Sequence, residues 1–285
     1  MDLSIIIVNH NTKRLCTDTV KSIFTSTNSI DYEIIIVDNS SKESETFDLE
    51  DKRVKILSGV ENKGFGNACN IGADIAIGRY VLFLNSDTLV QKDCLKKCVD
   101  YLDNNSLVGC LGVRTVLKNG TFDHGCKRGF PTPFNALCYI LKLDKLFPKS
   151  KKFGGYRLSY LSETETNEVD AVSGAFMMIP RSVLQKSGGF DESIFMYAED
   201  LDLCYKIKEL GFKVVYYADT WLIHLKGQSG LKTKNLEVIR HFENGLRTFY
   251  DKYYLEKNNF LVNGLVHLGI KLNCMVMRIK AKVSK

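Results

Sequence analysis

Three polar clusters, each directly after an apolar run, hold the side chains of this sequence best suited to chemistry. Asn9-His10-Asn11 follows the run from Leu3 to Val8, Asp38-Asn39-Ser40-Ser41 follows Tyr32 to Val37, and Asn85-Ser86-Asp87-Thr88 follows Arg79 to Leu84. Each cluster alone reads equally well as a turn or helix cap, because Asn, Asp and Ser side chains bond nearby backbone. Three in order, all at strand ends, read differently, since ligands of parallel sheets gather outside the carboxyl ends of the strands. There Asp38 can accept hydrogen bonds from a base or ribose. Asp87 can hold a hard cation such as Mg²⁺ or Mn²⁺ beside a pyrophosphate, or else cap a helix running from about Asp93 to Leu102.

Further along, Glu199, Asp200 and Asp202 put three acids at a helix start. Acids there favour the helix dipole whatever else they do; one of them could also take a proton from an attacking hydroxyl. Asn62 to Gly72 is a glycine-rich turn opening a helix, a place where backbone can approach a ligand and where anions are favoured. It is neither G-x-G-x-x-G nor a P-loop, and a plain tight turn fits it as well. His224 closes the apolar run Trp221-Leu222-Ile223, where a lone histidine more often has a structural role than a ligand role.

These residues need a frame. Strand signals over 3–8, 32–37, 54–57 and 79–84 alternate with helical stretches up to about Thr27, over Gly64 to Ala76, and from about Asp93. This pattern predicts an α/β fold with a mostly parallel sheet and helices on both faces. Residues from about 117 to 168 mix Gly, Pro and aromatics without a period and read as an insertion covering the site. Strand character resumes from Val169 to Pro180. A helix from Ala198 to Leu210 ends at Gly211, Lys213 to Tyr217 is a further strand, and from about Asn235 the chain reads as helical.

The 285 residues carry 39 Lys+Arg against 33 Asp+Glu, a formal net charge of +6. A nucleic-acid binder would carry a denser basic stripe interleaved with aromatics, so no nucleic-acid partner is expected. Nine cysteines, without a C-x-x-C pair, read as reduced core residues of a cytosolic protein rather than a zinc site. No signal peptide is evident, and no run of about 18 apolar residues appears, so no membrane-spanning helix is expected. The tail from Phe260 to Ile279 is apolar-rich and flanked by Lys271, Arg278, Lys280, Lys282 and Lys285. It suits a helix lying on an anionic membrane surface, which would make the protein peripheral on the inner face of the cell membrane. Equally, it suits a helix packed on the catalytic domain or on the partner of a homodimer.

The ordered set resembles family 2 glycosyltransferases, and within them the bacterial rhamnosyltransferase-like branch. It comprises Ser4 to Asn9, Val37 to Ser40, Asn62 to Gly72, Phe83 to Thr88, Gly174 to Met177, Gly188 to Glu192, Glu199 to Leu203 and Trp221 to His224, and covers roughly residues 3–229. The resemblance implies a GT-A (Rossmann-like) catalytic domain over 1–229, a C-terminal helical extension over 230–285, and inverting transfer from a nucleotide-sugar donor, dTDP-rhamnose or a UDP-sugar. The acceptor would be a saccharide or lipid-linked saccharide of bacterial cell-surface polysaccharide synthesis. It further implies that Asp38 binds the pyrimidine, that Asn9, Asn11, Asn67, Asn85 and Asp87 line the donor site, and that Asp87 and His224 hold Mg²⁺ or Mn²⁺. Asp200 would be the catalytic base, with Glu199 orienting the acceptor. Asn85 stands where the family's Asp-x-Asp motif has its first acid, which leaves Asp87 to carry the metal almost alone.

Two other classes compete. A sugar-nucleotide nucleotidyltransferase uses a similar sheet, but usually has a glycine-rich loop with Arg and Lys after its first strand, where this chain has Asn9-His10-Asn11-Thr12. A non-catalytic nucleotide-sugar-binding module would not need a base, so Asp38, Asp87, Asp200 and His224 together argue against it.

Overall fold

The computed structural model describes residues 1–27, 29–40, 47–226 and 236–283. Ser41, Lys285 and the expected boundary at residues 229/230 lie outside them. In chain order the elements are β1 (Leu3–Asn9), α1 (Lys13–Ser26), β2 (Tyr32–Asp38), β3 (Val54–Leu57), α2 (Phe65–Asp74), β4 (Tyr80–Asn85), β5 (Thr88–Val90), α3 (Cys94–Asp103), β6 (Val108–Leu117), β7 (Lys127–Arg128), α4 (Pro133–Ile140) and α5 (Leu143–Leu146). There follow β8 (Asn167–Val169), β9 (Ala171–Val172), β10 (Phe176–Pro180), α6 (Arg181–Ser187), α7 (Glu199–Glu209), β11 (Lys213–His224), α8 (Leu236–Tyr254) and α9 (Phe260–Val283).

The central sheet runs β3-β2-β1-β4-β10-β6-β11-β5, with β8 also on β11. Its first four strands are parallel, while β10 lies antiparallel between β4 and β6. The sheet is therefore mixed, with a parallel half that carries the three polar strand ends. Alternate residues feed opposite faces. Leu3, Ile5 and Ile7 pack with Cys16, Val20 and Ile23 of α1 and with Cys94, Cys98 and Leu102 of α3. Ile6, Ile35 and Phe83 pack on the other side with α2, α7 and α8. Burying one such Ile or Leu contributes about 1.5–3 kcal/mol, and both faces of β1, β2 and β4 are covered. All nine cysteines are buried and free, as expected of small core residues.

Three expectations change. The expected strand over 169–180 is three pieces, β8, β9 and β10, because the chain leaves the sheet at Asp170 and again at Ser173. The strand expected to end at Tyr217 continues to His224 through a register shift between Tyr217 and Trp221. The strand β6 was not expected at all. Its glycines weaken the apolar pattern, and packing explains them: a Cβ on Gly109 would lie 2.5 Å from Phe212, and one on Gly112 2.5 Å from Val172.

The tail also requires a correction. Residues Phe260–Lys282 form a helix long and apolar enough to cross a membrane, with mean hydropathy 1.5. No unbroken apolar run announced it, because Asn263, His267, Lys271, Asn273 and Arg278 are spaced along it.

Candidate active site

Strand register sets the site. Asn9 pairs with Asp38 across β1 and β2, and Val8 pairs with Asn85 across β1 and β4. The three polar ends are therefore level on one edge, as the sequence predicts. A chain of hydrogen bonds ties them together. Asn9 Nδ2 donates to Asp38 Oδ1 at 2.9 Å and to Ser40 Oγ at 3.2 Å, and Thr12 Oγ1 donates to Asn9 Oδ1 at 3.0 Å. Thr12 Oγ1 also lies 3.1 Å from Ser86 Oγ, while Thr19 of α1 donates to the carbonyls of Ser86 and Thr88. Asn9 is 2% exposed, and its side chain holds the equally buried Asp38 in place. Asn11 adopts φ 57° and its N–H donates to Ser40 Oγ.

The Asp87 corner is built by β5 and β11, whose antiparallel register sets His224 opposite Thr88. His224 Nε2 stands 3.1 Å from Asp87 Oδ1, and Nδ1 stands 3.5 Å from Asp123 Oδ2. Burial opposes charge on His224, yet Asp123 and Asp87 outweigh it and raise its pKa to about 9. Asp123 is itself held by Lys226 Nζ at 2.9 Å. Neither Asp87 carboxylate oxygen receives a well-aligned hydrogen bond from the described residues, although both are buried. The buried Asp87 carboxylate beside His224 fits a divalent cation, which would replace the proton that the imidazole carries here. Among the described residues no group of three or more His, Cys, Asp or Glu gathers to hold an ion unaided.

The acids of α7 separate by role. Asp200 Oδ2 accepts from Gly174 N at 3.0 Å and from Arg128 Nη2 at 2.5 Å. The neighbouring Ala175 carbonyl accepts from Asn85 N at 3.1 Å. One dipeptide thus links Asp200 to the strand end before Asp87. Glu199 is buried, its Oε2 has no hydrogen-bond partner among the described residues, and burial together with the charge of Asp200 pushes its pKa up to about 8. Asp202 points away, to Tyr253 Oη and Lys252 Nζ of α8, each at 2.7 Å.

The glycine-rich turn behaves differently from the expectation of a ligand approach. Gly64, at φ 108°, would place a Cβ 2.4 Å from the Phe195 carbonyl oxygen, and Phe65 N donates to that same oxygen. Asn67 Nδ2 donates to Glu192 at 2.8 Å, and Asn70 bonds both Glu192 and the Phe190 carbonyl. The close backbone approach is thus to the segment leading into α7, and Asn67 braces that segment.

Arg128 and Asp123 escape a reading of the sequence. Both sit in the aperiodic stretch after β6, and neither belongs to a spaced motif. Arg128 reaches Asp200 only because β7 pairs with β9, setting Arg128 opposite Ala171. Burial works against the guanidinium charge, but adjacent Asp200 holds it firmly protonated.

Comparison with known proteins adds a second line. The profile of glycosyl transferase family 2 matches residues 4–186. The chain is 27% identical to rhamnosyltransferase WbbL of Escherichia coli, over 69% of this chain and 74% of that protein. It is 33% identical to an N-acetylglucosaminyl-diphospho-decaprenol L-rhamnosyltransferase of Mycobacterium tuberculosis, over 30% of this chain and 28% of that protein. Other curated relatives are longer, and the chain spans 25% and 35% of the length of two of them. Among solved structures, GalNAc-T7 with UDP, GalNAc and Mn²⁺ superimposes with a TM-score of 0.56 at 19% identity, over 87% of this chain and 47% of that one.

Proposed function

Because the chain belongs to glycosyl transferase family 2, we propose that it is an inverting glycosyltransferase, passing a sugar from a nucleotide-sugar donor to a saccharide acceptor in cell-surface polysaccharide synthesis. The observation that carries this reading is the Gly174-Ala175 link, which joins the carboxylate of Asp200 to the strand end beside Asp87. A base and a cation-binding corner on one edge are what a metal-assisted in-line displacement needs. On this reading the donor is dTDP-rhamnose or a UDP-sugar, with its base against Asp38; the rhamnosyl transfer named for two relatives favours the first. The lipid-linked acceptor named for one of them favours an acceptor of that kind here.

Asp200 takes the acceptor's proton as its oxygen attacks the anomeric carbon, a contribution of about 10²- to 10⁴-fold. Arg128 and Gly174 fix the Oδ2 side of that carboxylate, and Glu199, protonated at neutral pH, is a donor for an acceptor hydroxyl. One carboxylate base suffices for single inversion, whereas a retaining glycosidase needs two carboxyl groups about 5–5.5 Å apart. Asp87 and His224 would hold Mg²⁺ or Mn²⁺, which stabilises negative charge developing on a nucleoside diphosphate leaving group; the Mn²⁺ and UDP of GalNAc-T7 support this.

For the tail we take the interfacial reading. The face of α9 toward α8 carries Asn263, His267 and Arg278, which bond Tyr250, Asp251 and Glu243. Its apolar stripe faces outward. The test of the function is a panel of nucleotide sugars assayed for acceptor-dependent release of nucleoside diphosphate. One donor should stand out, and release with none of them would reject the enzyme reading in favour of a binding module.

A further inference from the structure

The outward stripe of α9 does not stand alone. Leu261, Leu265, Leu268, Leu272 and Ile279 recur at helical spacing and are 46–69% exposed. Helix α4, more than a hundred residues earlier in the chain, packs against α9. It buries Cys138 and turns Leu137 (52% exposed) and Ile140 outward, and Leu141, Leu146 and Phe147 of the following turn and α5 are exposed as well. Two packed elements distant in sequence thus both leave large apolar side chains exposed. Exposed apolar surface on this scale marks an interaction site.

The rim of this surface is basic. Lys142, Lys145, Lys149, Lys151 and Lys152 fall within eleven positions and are all exposed. Asp144, the one acid among them, is buried and paired with Arg157 at 2.9 Å, so it does not neutralise them. On α9, Lys271, Lys280 and Lys282 are exposed too. We propose that the α4–α5 hairpin and the outer stripe of α9 form one docking face for an anionic lipid bilayer. Leu and Phe side chains enter the acyl boundary and the lysines meet the headgroups. A second copy of the chain fits less well, because a two-fold contact through one patch sets like lysines against like.

The face is tied to the catalytic edge. Asn135 of α4 donates to the Phe130 carbonyl at 3.0 Å, and Gly129 N donates to the Tyr156 carbonyl at 2.8 Å. Both brace the segment that begins with Arg128, the partner of Asp200. If the transferase reading holds, docking brings the base toward the membrane surface, where the saccharide of an amphiphilic acceptor can reach it while its lipid stays in the bilayer.

The test uses the full chain with no donor or acceptor, so its outcome is independent of the transferase reading. Binding to phosphatidylglycerol–phosphatidylcholine vesicles and to phosphatidylcholine vesicles is measured by sedimentation. The triple variant Lys142→Gln/Lys145→Gln/Lys149→Gln should lose about fivefold in affinity for the anionic vesicles per lysine removed. Leu141→Ser/Leu146→Ser should lose affinity for them as well, and so should Leu265→Ser/Leu268→Ser on α9. Melting temperatures close to that of the parent certify that each variant is folded. Wild-type binding by both hairpin variants would overturn the proposal, even if the α9 variant fails. So would absence of vesicle binding by the parent, including the case where the parent dimerises and Leu141→Ser/Leu146→Ser abolishes the dimer.

Discussion

Arg128 Nη2 and Gly174 N donate to the same oxygen of Asp200, which fixes the carboxylate at the head of α7 from two sides. The side chains of Arg128 and Asp200 are only 17% and 11% exposed. A buried carboxylate with a single cationic partner depends on it, because removing one member of such a pair leaves an uncompensated charge.

The first prediction concerns this pair. Asp200→Asn retains shape and can still accept from Arg128, but it cannot take a proton. Turnover should fall by about 10²-fold or more with donor affinity little changed. Arg128→Met should also lower turnover, through the disturbed carboxylate, and Arg128→Lys should recover part of it. Steady-state transfer beside donor binding separates these effects. Normal turnover in Asp200→Asn would remove it as the base.

The second concerns the cation corner. On the proposed reading Asp87 and His224 would supply two of the ligands for Mg²⁺ or Mn²⁺. Chelation should abolish transfer, and Asp87→Ala should remove most of the metal-dependent part of donor binding, measured by calorimetry with and without Mn²⁺. His224→Ala should weaken Mn²⁺ binding by a smaller factor. Full activity in EDTA would refute the metal requirement.

The third concerns Glu199 and pH. Its folded pKa is raised to about 8 by burial and by the charge of Asp200, against about 4.3 in an unfolded chain. Between those values the folded state binds more protons than the unfolded state, so stability falls as pH rises. The contribution is fully present below about pH 4, declines across the window, and is lost above about pH 8. Glu199→Gln mimics the protonated form and should remove this slope. The variant should melt close to the parent at pH 5 and several degrees above it at pH 8.5. Parallel melting curves across the range would mean that Glu199 ionises normally.

Much of this frame was legible in the sequence, for physical reasons that can be named. β1, β2 and β4 are apolar runs, interrupted only by Ser4 and Glu33 and buried on both faces, so each ended visibly at Asn9, Asp38 and Asn85, and parallel register then made those ends level. What stayed hidden depends on contacts made across the chain. β6 was masked by Gly109 and Gly112, which answer to Phe212 and Val172 rather than to a strand pattern. Arg128 and Asp123 lie in a stretch without periodicity, and only the β7–β9 pairing and the return of β11 bring them to Asp200 and His224. The glycine-rich turn read equally as a ligand approach or a tight turn, and the sequence could not show that Gly64 lies against the backbone of Phe195.

The last prediction separates the two aspartates of α7. Asp200 and Asp202 are two positions apart, and in a helix that spacing sends side chains to different faces. Asp202 is fully buried, accepts from Tyr253 and Lys252 of α8, and pairs with Lys206 at 3.1 Å. It therefore anchors α8 to α7. Asp202→Ala would strand the Tyr253 hydroxyl and leave Lys252 with Asp191 alone. Since both lysines retain some access to water, the loss should be about 1.5–3 kcal/mol, the range for a hydrogen bond to a charged group. Well below its lowered melting temperature, the variant should still turn over within a few-fold of the parent. Asp200→Asn should differ in rate: it also melts lower, because buried Arg128 loses its countercharge, but its turnover should collapse even well below that melting temperature. Thermal melting and steady-state transfer on the two variants decide the matter. A dead but stable Asp202 variant beside an active Asp200→Asn would exchange the roles assigned to them.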